Sequence, residues 1–339
     1  MYDLPGASVR QLVELVGRWN VPADALLAGL PITLAALDDP ATRVPIRVCE
    51  AVTARAHELT REPALALYYG MAMRLSSHGF LGFAAMTAAT VGEALALAVQ
   101  FIATRTSAIG LALYVEGDRA SLVIEERAPL GGLREFAVLS LMVGLSHMGH
   151  EATGHPPDGT GECAFPRPAY ITTLGLDHRL SFERPVHRLV FASSALARPL
   201  ASADLVAMRL ARVQLERELA TAIESAGLPG RIRAAIASHG TATLDDIARQ
   251  LRMSPRTLKR RLADHGTAFS ALRDEVRLHR ALLLLDDRAL DIGDVAARLG
   301  YSELPNFTRA FRKWTGMTPL AYRSRAEDRA AAAPHRQRG

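Results

Sequence analysis

Five side chains in the last third of the chain have the chemistry and spacing to read the edges of nucleic-acid bases. Arg256, Lys259 and Arg260 lie three to four residues apart, so a helix shows them on one outward face, and Asn306 with Arg309 forms a second such pair. An arginine or lysine meeting guanine contributes about 1–3 kcal/mol of discrimination against the wrong base. Beside them Ser254, Arg261, Arg312 and Lys313 are suited to phosphate oxygens. Metal and covalent chemistry are less well served. His147, His150 and Glu151, with His155 nearby, are the nearest approach to a ligand set, but the H-E-x-x-H spacing is absent and the polar end of a helix explains them as well. The cysteines, Cys49 and Cys163, are far apart and outside any C-x-x-C pattern. Cys49 lies in a helical pattern, and Cys163 lacks the glycine two residues on that a nucleophile elbow needs. No catalytic residue, metal or cofactor is therefore assigned, and both thiols are expected to be free and buried.

The elements that must position the outward residues repeat. Ile292, Val295, Ala296 and Leu299 fall on one face of a short helix that Asp291 can cap. Gly300 then supplies a left-handed turn, and Ser302 is the expected cap of a second helix with Glu303 and Pro305 in its first turn. In that helix Phe307 and Phe311 point inward, which leaves Asn306, Arg309, Arg312 and Lys313 outside. An earlier stretch does the same: Thr243 caps, Leu244, Ile247, Ala248 and Leu251 face inward, and Ser254-Pro255 restarts a helix with Leu258 and Leu262 inside. Leu244 to Ile292, Ala248 to Ala296 and Leu251 to Leu299 are each a shift of 48, whereas Leu262 to Phe311 is a shift of 49. Arg252 stands where the second copy has Gly300, which leaves the type of the first turn open.

A basic outer face on one helix pair is commonly a solvated surface. Two copies in register weigh against that. Gly300-Tyr-Ser302, Phe307-Thr-Arg-Ala-Phe311, Gly316-Met-Thr-Pro319 and Tyr322-Arg323 resemble the signature of the AraC/XylS family of bacterial transcription regulators. The resemblance covers residues 231–325 most strongly. It implies a pair of DNA-reading helix-turn-helix units.

Charge supports that division. Residues 231–325 hold 18 Lys/Arg against 10 Asp/Glu, while residues 1–230 hold 19 against 23. A basic module on an otherwise acidic chain is the footprint of a phosphate-backbone binder, which makes double-stranded promoter DNA the expected partner. At 339 residues two domains are the default. Ser225-Ala-Gly-Leu-Pro-Gly230 is the clearest linker candidate. The expected order is a regulatory domain at 1–225, a linker at 226–230, a DNA-binding domain at 231–325 and a disordered tail at 326–339. No apolar run approaches the ~18 residues of a membrane span and no signal-peptide layout opens the chain, so a cytoplasmic protein is expected.

Ahead of the repeat the chain reads as α+β: a mixed domain of helices and a small sheet, followed by the all-α double helix-turn-helix domain. Helical spacing opens the chain up to Leu30, with a break at Asn20-Val-Pro22. It continues over residues 46–59, after Val44-Pro45, and over 64–75. Thr90-Val-Gly-Glu93 is a capping box. Residues 111–115 and 121–125, joined across Gly117-Asp118, predict a β-hairpin, and 133–148 a helix. Strands are expected at 162–165, 180–182 and 188–191 with a helix at 170–176, then an amphipathic helix at 204–223 and a rigid helical connector at 269–285.

This order resembles the arabinose-binding type of regulatory domain in AraC-family proteins, especially at His78-Gly-Phe-Leu-Gly82, the Thr90 helix and Leu189-Val-Phe191. The resemblance implies a small-molecule effector, a small polar metabolite, with no binding residue assigned. It also leaves a homodimer open, and RNA polymerase as a partner if the protein activates. A domain that only dimerises is the alternative, and an enzyme fused to a DNA module the least favoured one.

Overall fold

The computed structural model describes residues 2–156, 158–176, 179–239, 243–287 and 289–324. The expected tail at 326–339 lies outside the described residues. The chain divides into two compact units, Met1–Leu113 with Ser121–Ala226, and Tyr114–Ala120 with Gly227–Gly339.

The first unit begins with a feature that three-residue strands are too short to announce. β1 (Asp3–Pro5) pairs antiparallel with β2 (Arg43–Pro45), Leu4 opposite Val44. Between them α1 (Gly6–Val16) buries Val9, Leu12, Val13 and Val16 at helical spacing, followed by the short α2 (Ala23–Leu27) and α3 (Leu34–Leu37). The helices α4 (Ile46–Thr60), α5 (Leu65–Met71), α6 (Gly79–Thr87) and α7 (Val91–Phe101) come next. Thr90 caps α7 by accepting from the Glu93 N–H at 3.2 Å. The Glu93 carboxylate reaches one residue beyond the expected box and accepts from the Ala89 N–H at 2.7 Å.

β3 (Ile109–Glu116) and β4 (Arg119–Glu126) flank Gly117, whose φ of +61° suits a tight turn. After α8 (Arg134–Thr153) come β5 (Thr160–Glu162), α9 (Ala169–Thr173), β6 (Leu180–Ser181) and β7 (His187–Ala192). The sheet order is β3-β4-β7-β5-β6, with β5 antiparallel to β7 and parallel to β6. The strand expected at 162–165 lies earlier, because pairing with β7 ends at Glu162 opposite Arg188. The Ala164 N–H has left the ladder to donate to His187 Nδ1 at 3.1 Å, and Pro166 has none to offer.

Glu162 is also the centre of a buried ion group. Arg188 Nε donates to its Oε2 at 2.7 Å and an Arg184 amino group to its Oε1 at 2.8 Å, with all three residues nearly inaccessible. Burial pushes the Glu162 carboxyl upward, but the guanidiniums of Arg188 and then Arg184 outweigh it and hold the group below the usual carboxylate range.

α10 (Leu205–His239) departs from the expected linker at 226–230: it is helical throughout, with Pro229 inside. Leu228, Ile232, Ala235 and Ile236 are buried at helical spacing around the proline, and that burial offsets the roughly 3 kcal/mol a mid-helix proline costs. The remaining helices are α11 (Leu244–Gln250), α12 (Pro255–Asp264), α13 (Phe269–Asp286), α14 (Ile292–Arg298) and α15 (Leu304–Thr315), with residues 319–324 helical after them. The architecture is the expected one, a mixed α/β unit followed by an all-α one. Among the described residues no helix is long and apolar enough to cross a membrane.

The buried ion group generates a stability prediction. Glu162→Gln removes the charge that two buried guanidiniums need, and should cost about 3–5 kcal/mol in urea unfolding. Because the Glu162 pKa is depressed in the fold, its contribution is present above the ordinary carboxylate range and is lost as the pH falls through it. The Gln variant should therefore lack part of the acid sensitivity. A loss below about 1 kcal/mol would contradict this assignment.

Candidate nucleic-acid interface

The two helix pairs α11–α12 and α14–α15 are built by the same hydrogen bonds at a constant offset. Thr243 accepts from the Asp246 N–H at 3.2 Å while Asp246 accepts from the Thr243 N–H at 3.0 Å. Asp291 accepts from the Asp294 N–H at 2.7 Å while Asp294 accepts from the Asp291 N–H at 3.3 Å. Each first helix thus begins with a reciprocal capping box.

The turns match as closely. Met253 N–H donates to Ala248 O at 2.8 Å, and Tyr301 N–H to Ala296 O at 3.0 Å. Arg252 N–H donates to Arg249 O at 3.1 Å, and Gly300 N–H to Ala297 O at 2.9 Å. Gly300 has φ +80° and Arg252 has φ +53°, so the arginine adopts the same left-handed turn that glycine adopts without a Cβ penalty. The question that Arg252 raised in the sequence is answered: the two turns are of one type.

The second helices enter differently. Ser254 accepts from the Thr257 N–H at 3.1 Å and shares a 2.8 Å hydroxyl contact with Thr257, as a cap with Pro255 in the first turn should. Ser302 does not cap α15. Glu303 takes the N-cap position and makes no side-chain cap bond. The reason is the inserted residue: from Ser302 the third position is Pro305, which has no N–H to give.

Inside, Leu258, Leu262, Phe307 and Phe311 are buried. Phe311 packs edge-on against Tyr322 at 5.7 Å, and Arg277 sits 5.3 Å over the Tyr301 ring. Arg323 closes the second copy by donating to the carbonyls of Leu285 at 3.2 Å, Leu290 at 2.8 Å and Asp287 at 3.4 Å. These bonds give the Tyr322-Arg323 part of the signature a packing role that its residue types alone did not specify.

Outside, Arg256, Lys259, Arg260 and Arg261 on α12 and Asn306, Arg309, Arg312 and Lys313 on α15 are all exposed. An Arg309 amino group donates to Asn306 Oδ1 at 2.6 Å, so this pair is held together. Lys313 Nζ lies 4.0 Å from Asp274. The Ser254 hydroxyl is engaged as the α12 cap, and a phosphate would have to share it.

The other chemistry considered in the sequence finds ordinary structural uses. His147 pairs with Glu151 at 3.4 Å and His150 Nδ1 meets His155 O at 2.8 Å; no cluster of three metal-binding side chains occurs among the described residues. Burial pushes the thiols of Cys49 and Cys163 up to about 12, which leaves them un-ionised near neutral pH. The first unit does contain a cavity of about 130 Å³, with Arg105 and His78 among otherwise mainly apolar walls. Sequence reasoning named His78 only as part of the family resemblance, with no binding role, and did not name Arg105.

Comparison with known proteins places this arrangement. The profile described as "Arabinose-binding domain of AraC transcription regulator, N-term" matches residues 21–200, and a "Helix-turn-helix domain" profile matches residues 247–325. The chain belongs to the AraC/XylS family of transcriptional regulators. The ornithine utilization regulator of Pseudomonas aeruginosa is 33% identical over 94% of the chain and 96% of its own length. An uncharacterized helix-turn-helix regulator of Mycobacterium tuberculosis is 28% identical over 95% and 96%. The crystal structure of the regulator CdpR from Pseudomonas aeruginosa aligns with 25% identity and a TM-score of 0.41 over 92% of this chain and 97% of that one. The family is one of sequence-specific DNA-binding regulators and not of enzymes.

The turn geometry makes its own prediction. Gly300→Ala places a Cβ in the left-handed region and should lose about 1–2 kcal/mol, whereas Arg252→Gly relieves the same strain and should gain up to about 1 kcal/mol. Thermal unfolding of the two variants checks the contrast. Equal losses would mean that Arg252 does not occupy this conformation.

Proposed function

We propose that this AraC/XylS-family regulator is a cytoplasmic activator that reads one asymmetric promoter site with both helix-turn-helix units and is controlled by a small molecule bound in its N-terminal domain. The observation that carries the DNA-reading part is the repeated outward basic face on α12 and α15, in one frame of capping and turn bonds. Arg256, Lys259 and Arg260 are the base readers of the first unit, and Asn306 and Arg309 those of the second. Ser254, Arg261, Arg312 and Lys313 are the phosphate partners. Regulation is assigned to residues 1–225 and DNA binding to residues 231–325.

Two unlike reading helices give the bound protein a direction on the promoter, which supports contact with RNA polymerase and so the activator reading. The cavity in the first unit supports the effector part. The relative named for ornithine utilization makes a diamino acid one candidate, but the cavity's lining residues include no acidic side chain to meet an ammonium.

A second reading, in which the N-terminal domain dimerises, has its own observation. Val206, Leu210 and Val213 form a stripe on α10 that is 69%, 69% and 50% exposed. A second copy of the same helix covers such a stripe with the same residues, while Arg212 and Glu216, paired at 3.3 Å on this helix, flank it with both signs of charge. Dimerisation and effector binding are compatible.

Gel-shift titrations on a selected target and on random DNA test the DNA-reading proposal. Arg260→Ala should relax specificity at one box and Arg309→Ala at the other, each by about 1–3 kcal/mol. Equal weakening on both DNAs would reduce these residues to phosphate contacts. Log K should fall with log salt by about 0.9 for each phosphate neutralised, and a slope near zero would remove the electrostatic basis of the interface.

A further inference from the structure

Cavities indent the first unit, and they differ in how their polar groups are satisfied. In one of about 460 Å³, His147 is paired with Glu151 and His150 with the His155 carbonyl. In a second, Arg198 is paired with Asp158. The cavity between α1, α4, α5 and α8 is different. Two of its lining side chains, Arg105 and His78, each present a buried nitrogen, Nε and Nε2, without a hydrogen-bond partner.

A buried donor without a partner costs about 1–3 kcal/mol, and more when charged, so this pair is a standing cost that a suitable ligand would remove. The charges around Arg105 sharpen the point. Burial first, and then the neighbouring Arg43, disfavour its charged form, with Glu218 offsetting only part of this. Arg43 is itself neutralised by Asp3 at 2.6 Å and donates to the Arg105 carbonyl at 2.8 Å, which anchors the backbone of Arg105 and leaves its guanidinium uncommitted there. An arginine does not give up its proton at neutral pH, so the site keeps its positive charge. His78 is pulled down from 6.5 to about 4, by burial and then by Arg105, so near neutral pH it is an uncharged imidazole with one N–H to donate.

The rest of the wall limits what else a ligand can carry. Tyr69 Oη donates to Ser8 O at 2.9 Å, Thr106 Oγ1 to Asp3 O at 2.9 Å and Ser140 Oγ to Ala137 O at 3.2 Å, so these donors are already used. Leu12, Val52, Ile102, Ile109 and Phe136 make most of the remaining surface apolar. The Ser8 and Thr53 hydroxyls also reach the wall, but they are too few for the hydroxyls of a sugar, no acidic side chain is there to meet the ammonium of a zwitterion, and a phosphate dianion would find one guanidinium and one neutral imidazole. A planar, singly charged carboxylate matches that pair. An apolar cavity of about 150 Å³ accepts a benzene ring, so 130 Å³ takes an apolar body of roughly six to eight non-hydrogen atoms.

We infer that this cavity is the effector site and that it takes a monocarboxylate with an apolar body of roughly six to eight non-hydrogen atoms, held by Arg105 and His78. This rests on the proposal that a small molecule controls the N-terminal domain, and replaces the small polar metabolite expected from the family resemblance. A medium-chain fatty acid and an arylalkanoic acid share the required chemistry.

Calorimetric titration of the full-length protein with octanoate, 3-phenylpropanoate, octan-1-ol and L-lysine tests the inference. Octanoate or 3-phenylpropanoate should bind once per chain, octan-1-ol at least about tenfold more weakly, and L-lysine not measurably. Arg105→Gln, whose unliganded melting temperature reports its folding, should abolish the preference of acid over alcohol. Arg105→Lys should keep part of it.

Equal binding of acid and alcohol, or wild-type octanoate affinity in Arg105→Gln, would overturn the carboxylate assignment and leave a different effector in place. Binding of L-lysine alone would overturn it likewise. No binding by any probe would overturn it too. Ala137→Phe, which fills the cavity, then separates the two levels: if promoter output in cells still responds to growth conditions as the wild type does, control by a ligand in this cavity falls as well.

Discussion

The left-handed residue between the two helices of each reading unit is the constraint on which the DNA-binding half depends. Arg252 and Gly300 reverse the chain so that Met253 and Tyr301 donate back to Ala248 and Ala296. That bond leaves little freedom in where the second helix starts. Once its start is fixed, Leu258 and Leu262, or Phe307 and Phe311, turn to the core, and the cationic residues have only the outward face left. Capping boxes at Thr243 and Asp291 hold the other end of each first helix, and Arg323 ties the helix after α15 to the carbonyls that end α13. A surface for DNA thus arises from bonds that are almost all local.

That locality is why the reading units were legible in the sequence. Caps, the turn glycine and apolar residues at helical spacing lie within a dozen positions of one another, and each has its own propensity. Where the reading failed, a competing local rule had won. Ser302 looked like Ser254, but a proline three positions later removed the N–H it would have bonded. Residues 226–230 were expected as a linker, but α10 runs through them, with Leu228, Ile232, Ala235 and Ile236 buried at helical spacing.

The regulatory half was legible only in outline, because its important contacts are distant in sequence. The β1–β2 ribbon joins residues about forty positions apart, and its three-residue strands carry too little alternation to be seen. Glu162 finds Arg184 and Arg188 by sheet pairing, and nothing in their order says that they will be buried together. Arg105 and His78 are scattered among apolar residues of separate elements. Their significance lies in what they lack, a partner for a buried nitrogen, and that is a property of the packed structure alone.

The central claim is that two unlike helices read one site as a fixed pair. At ~1.5 Å per residue the 18-residue connector α13 spans about 27 Å, close to the ~34 Å of one duplex turn. A gel-shift titration on a native site and on the same site with five base pairs inserted between its two boxes tests this most directly. The insertion turns one box to the far side of the duplex, so high-affinity binding should be lost. Unchanged affinity for the spaced site would contradict the claim, because it would show that the two units bind independently.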